Sequence, residues 1–128
     1  MDYKKDITMA AIRAYTTIEQ SRKLAEILPL ESADMNYWCG TQIRIGGYKT
    51  MDKDLDIPCW SLAALLSVIP KHIKDYNVLR IDISENDFAI WYDEIGYGVN
   101  NDLPNITTES AIDACYEMIL KLYELKVL

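Results

Sequence analysis

Asn77-Val78-Leu79-Arg80-Ile81-Asp82-Ile83-Ser84-Glu85-Asn86-Asp87-Phe88-Ala89-Ile90-Trp91-Tyr92-Asp93 is the stretch that decides the fold. Two runs of β-branched and aromatic residues flank Ser84-Glu85-Asn86-Asp87, a cluster of turn formers, so the spacing predicts a β-hairpin. A four-residue turn there sets Ile83 opposite Phe88, Ile81 opposite Ile90 and Leu79 opposite Tyr92, all on one face. That face is wholly apolar and is expected to be core. The same register sets Arg80 opposite Trp91 on the other face, flanked by Asp82 and Asp93, where a guanidinium over an indole is the expected contact. This second face is half polar and is expected to meet solvent or a partner.

Helices are expected on either side of the hairpin. Thr17-Ile18-Glu19-Gln20 has the form of a capping box, so a helix is predicted over 18–28, ending before Pro29. Glu19/Lys23 and Arg22/Glu26 would pair along its wet face, leaving Leu24, Ile27 and Leu28 for the core. Residues 1–15 read equally as a loosely docked arm or a helical extension. Met35 to Cys39 and Gln42 to Ile45 are predicted as two short strands, the second ending at Gly46-Gly47. Ser61 can cap a helix over 62–69 in which nearly every position is apolar, and a helix apolar all round is expected at the centre of the domain, closed by Pro70. A loop over 96–104 leads to a last helix capped by Ser110, with Asp113 near the positive end of its dipole. Ile112, Cys115, Ile119, Leu122 and Leu125 recur there at helical spacing. The expectation is one α+β domain of order α-β-β-α-β-β-α: a small antiparallel sheet of two hairpins with about three helices largely on one face.

Composition limits the function. The chain has 128 residues, half of them apolar, and 13 Lys+Arg against 20 Asp+Glu give a net charge of −7. No basic stripe offsets that sign, so direct binding to a phosphate backbone is not expected, while an acidic inhibitor imitating DNA on a basic host enzyme stays open. Cys39, Cys59 and Cys115 are odd in number and lack C-x-x-C spacing, which reads as reduced thiols in the cytoplasm. The most apolar run, Ile57 to Pro70, falls well short of the ~20 residues that span a bilayer. No membrane association is expected.

The chemical motifs are incomplete. The single His72 excludes a multi-histidine metal site and reads as a helix-terminal residue favourable to the dipole. Asp52, Asp54 and Asp56 alternate as in the first half of an EF-hand loop, but Ile57 stands where glycine is needed and Ala63 where a bidentate glutamate belongs. Gly96-Tyr97-Gly98 lacks the third glycine of a dinucleotide fingerprint, and Pro104 intervenes before a helix. Asp93 and Glu94 are the one acidic pair worth weighing for acid–base work, yet neighbours on a strand point to opposite faces. No cofactor, metal or catalytic set is assigned.

What stands out is nine Tyr and three Trp against one Phe. Rings with a polar handle suit places where one end is buried and the other wet, the rim of a small core or a binding surface. The candidate binding residues are therefore Tyr37, Trp38, Trp60, Arg80, Trp91, Tyr92 and Asp93.

Ser32-Ala33-Asp34-Met35, the run Ile57-Pro58-Cys59-Trp60-Ser61-Leu62 continuing to Pro70, Trp91-Tyr92-Asp93, and Asp113 to Ile119 together resemble a family of small gut-bacterial proteins found in prophages and mobile elements. The proline-aromatic-Ser-Leu-x-x-Leu-Leu stretch is the most specific part. That family has no assigned activity, so the resemblance carries over no functional residue. It implies a phage-type accessory protein acting through protein contacts. A small-molecule site or enzyme in an aromatic cleft around Trp38, Trp60 and Trp91 is the alternative, and self-association is left open.

Overall fold

The structure, a computed structural model, describes residues 14–47 and 51–128. These residues fall into two compact units, 14–68 and 69–128, each with its own antiparallel sheet. The fold is α+β, with three α-helices among the described residues. Residues 1–13, where the arm or helical extension was expected, lie outside the described residues. Tyr15 is extended and bridges Ser61.

In the first unit, α1 (Ile18–Ala25) starts at the expected capping box: Gln20 N–H donates to the Thr17 hydroxyl and Thr17 N–H to the Gln20 side chain, each at 3.1 Å. The helix is shorter than expected, and two further turn hydrogen bonds, from Ile27 and Leu28 back to Leu24, carry the chain toward Pro29. Its ion pair is Lys23 to Glu26 at 3.6 Å, three residues apart rather than four. β1 (Met35–Trp38) is the middle strand, between β2 (Gln42–Ile45) and β3 (Ile57–Cys59). β3 was not anticipated: its three residues, which include Pro58, are too few to show an alternation. At the sheet edge the missing N–H of Pro58 costs no ladder bond. The β1–β2 turn places Cys39 (φ 52°) and Gly40 (φ 73°) in the left-handed region, the backbone that tight hairpins use.

α2 (Leu62–Val68) is capped as expected, Ala64 N–H donating to the Ser61 hydroxyl at 3.2 Å. The expectation of burial all round fails: Ala63 and Ser67 are exposed, and only Ala64 and Leu65 within the helix are fully covered. Apolarity in this seven-residue helix did not mark a central position: Leu62, Leu66 and Val68 are only half-buried.

The second unit is ordered β4-β5-β6-β7, with β8 also on β6: β4 (His72–Ile73), β5 (Asn77–Ile83), β6 (Phe88–Glu94), β7 (Gly98–Val99) and β8 (Ile106–Thr108). The β5–β6 register is the expected one, Ile83 to Phe88, Ile81 to Ile90, Arg80 to Trp91 and Leu79 to Tyr92. β4, β7 and β8 are two or three residues long, too short to carry an alternation in sequence. His72 therefore sits on a strand opposite Val78 rather than at a helix end. α3 (Ala111–Glu124) is capped by Ser110 and buries Ile112, Ala114, Cys115, Met118, Ile119 and Leu122, while Leu125 lies past its end and is exposed. Burying each of the large side chains, Ile112, Met118, Ile119 and Leu122, contributes about 1.5–3 kcal/mol.

α3 packs on β6 and β8. This is why the hairpin's apolar face is only half core: Phe88, Ile90 and Tyr92 on β6 are buried, but Ile81 and Ile83 on β5 are 41% and 75% exposed. On β5 the even residues turn their backbone groups toward β6, as the bonds from Ser84 to Asp87 and from Ile95 to Tyr76 require. The odd residues turn theirs outward. β4 meets that outer edge at Asn77, Val78 and, through Leu79 N–H to Lys71 C=O, at Leu79. Among the described residues nothing pairs with the outward N–H and C=O of Ile81 and Ile83.

Candidate functional site

The sequence-derived candidates separate by burial. Trp60 and Tyr92 are fully buried and Tyr37 nearly so, each with its polar tip satisfied inside its own unit. Trp60 Nε1–H donates to Ser32 Oγ at 2.9 Å, Tyr37 OH to the Thr16 carbonyl at 2.6 Å, and Tyr92 OH to the Pro70 carbonyl at 2.6 Å. The Trp60 and Tyr92 rings are held wholly inside, while Tyr37 keeps a small exposed margin. Trp38 stays 43% exposed on β1, with the Arg44 guanidinium 5.2 Å from its ring centroid.

Arg80, Trp91 and Asp93 are brought together on the outer face of the hairpin. The expected stacking of guanidinium on indole is replaced by a shared carboxylate: Asp93 Oδ1 accepts Trp91 Nε1–H at 2.8 Å and Oδ2 accepts Arg80 Nε–H at 3.2 Å. Asp93 thus holds both side chains in place, one on each oxygen. On the opposite face of the same strands lie exposed Ile81 and Ile83 beside the open edge. Sequence reasoning missed this edge, because it depends on β4 ending after two residues.

Burial and hydrogen bonding displace four titratable groups. Burial raises the Tyr92 phenol and pushes the Cys115 thiol up to about 12, Lys71 opposing only in part. Burial likewise raises Cys59 against hydrogen bonds from Thr16 and Ser21. Thiols held protonated are poor nucleophiles. In the acidic loop, Asp56 accepts the backbone N–H of Cys39 at 2.8 Å and of Asp52 at 2.9 Å, and these bonds hold its carboxyl below the ordinary value. Asp56 thus ties the loop to the β1–β2 turn, while Asp52 Oδ1 accepts Asp54 N–H at 2.9 Å within the loop. Among the described residues no group of three His, Cys, Asp or Glu side chains is placed to hold a metal ion.

Two concavities are open to solvent. One of about 480 Å³ lies along Tyr15 to Glu19 and Tyr37, and one of about 310 Å³ lies between residues 102–106 and the end of α3. Neither is lined by Trp38, Trp60 or Trp91. Among the described residues no helix is long and apolar enough to cross a membrane. No protein family, curated protein or solved structure significantly matches this chain.

Proposed function

We propose that the chain is a non-catalytic accessory protein of a prophage or other mobile element that binds a protein partner through the uncovered part of the β5–β6 hairpin. One observation supports this above the rest: the apolar face runs on past the α3 cover and leaves Ile81 and Ile83 exposed beside backbone groups that pair with nothing among the described residues. Such an edge offers apolar area and hydrogen bonds at the same place, a hazard that a free-standing surface avoids and a partner uses. A charge of −7 directs the reading to protein rather than phosphate backbone. The mobile-element setting rests on the sequence resemblance.

The test captures partners from a gut-bacterial lysate on the immobilised full chain, then purifies the captured protein and titrates it against the wild type and Ile83→Lys. Circular dichroism and melting first establish that the variant is folded. The reading expects a stoichiometric complex weakened about tenfold or more by the substitution. Equal affinity for both proteins would reject it.

A further inference from the structure

We infer that the β5 edge takes an extended segment of a partner protein as an added strand, with a Lys or Arg flanked by two apolar residues, the cation facing Asp82. This deepens the proposed function and rests on it. Ile81 and Ile83 point two N–H and two C=O groups off the sheet, one donor and one acceptor at each of two alternate positions. That is the pattern an incoming strand pairs with. Their side chains stand on the apolar face, so incoming residues opposite them meet aliphatic surface. Asp82, between them, stands on the other face. Arg80, two residues back on that face, is engaged by Asp93, and Asp82 has no ion-pair partner among the described residues.

A second copy of the chain is a poor occupant. Antiparallel self-pairing has three registers that use the outward groups, and the one that sets Ile83 against its own copy runs Ile81 opposite Glu85, beyond the end of the strand. Setting Ile81 against its own copy places Ile83 of one chain opposite Leu79 of the other, where the N–H is already taken by Lys71. Setting Ile81 against Ile83 frees that clash but puts Asp82 opposite Asp82, like charges at the closest cross-strand spacing. A segment with a cation at that position removes the repulsion and adds an attraction. Charge complementarity therefore selects a heterologous, basic strand.

The experiment titrates the isotope-labelled full chain with a capped Thr-Val-Lys-Val-Thr peptide and with Thr-Val-Glu-Val-Thr, following amide shifts and hydrogen exchange. The inference expects shifts centred on Ile81 and Ile83, slowed exchange of those two amides, and binding of the lysine peptide at least about threefold tighter. Asp82→Lys, once shown folded, is expected to reverse the preference between the peptides. Equal response to both peptides, shifts centred elsewhere, or, at neutral pH where Asp82 is charged, a concentration-dependent dimer abolished by Ile83→Lys would overturn it. If the captured partner depends on Ile83 while neither peptide moves the edge amides, strand addition fails and the docking reading stands. If neither depends on Ile83, both fail.

Discussion

Thr16 is fully buried and uses every polar group it has: its N–H donates to the Trp60 carbonyl, its carbonyl accepts from Tyr37, and its hydroxyl accepts Trp60 N–H at 3.2 Å and shares a 2.7 Å bond with Ser21. Thr16→Val keeps the shape and removes the hydroxyl, stranding Trp60 N–H and the Ser21 hydroxyl in the interior. The expected cost is about 1–3 kcal/mol of unfolding free energy, read from denaturant melts. Thiol chemistry separates the cysteines. Cys39 is exposed while Cys59 and Cys115 are buried, so a thiol reagent at neutral pH is expected to label Cys39 at once and the other two only on unfolding, as peptide mass mapping would report. Asp56 contributes through its ionised form. Because the folded chain holds its carboxyl below the unfolded value near 3.8, that contribution is complete above about pH 4 and is lost as pH falls through the folded value. Asp56→Asn should flatten the acid limb of the stability curve, and a limb of unchanged steepness would contradict the role given to Cys39 and Asp52 N–H.

At the scale of elements, the caps and the hairpin were legible in sequence and the short strands were not. Thr17, Ser61 and Ser110 each precede a helix with side chain and spacing in agreement, so local chemistry sufficed. The hairpin register followed from turn length alone, and with it the meeting of Arg80 and Trp91. Asp93 as their common partner was hidden, because a choice of rotamer two residues along the strand does not show in alternation. The burial of Trp60 was hidden too: its indole N–H finds Ser32 inside the unit, a long-range contact that composition cannot register. Two outcomes follow for the elements. Ile119→Ala, at the fully buried face of α3, is expected to cost about 2–5 kcal/mol in chemical denaturation. Native hydrogen exchange along β5 should alternate, Val78, Arg80 and Asp82 slow and Ile81 and Ile83 fast. Uniform protection along the strand would mean that something already covers its edge.

Across the whole molecule, acidity and the open edge act together. The net charge of −7 sets copies repelling one another at neutral pH, and it vanishes near the isoelectric point of 4.6. Sedimentation should therefore find association growing as pH is lowered toward that value, and Ile83→Lys should suppress it. An association equally strong in the variant would place the contact elsewhere. A last consequence concerns residues 14–17. This stretch runs extended against Trp60 to Leu62, with Leu62 N–H donating to the Ala14 carbonyl, and inserts Thr16 among Ser21, Tyr37 and Trp60. It behaves toward the rest of its unit as a tethered ligand does toward a receptor. A chain started at Ile18 would carry a vacant polar slot, and a short synthetic peptide spanning Ala14 to Thr17, supplied in trans, is the molecule shaped to fill it.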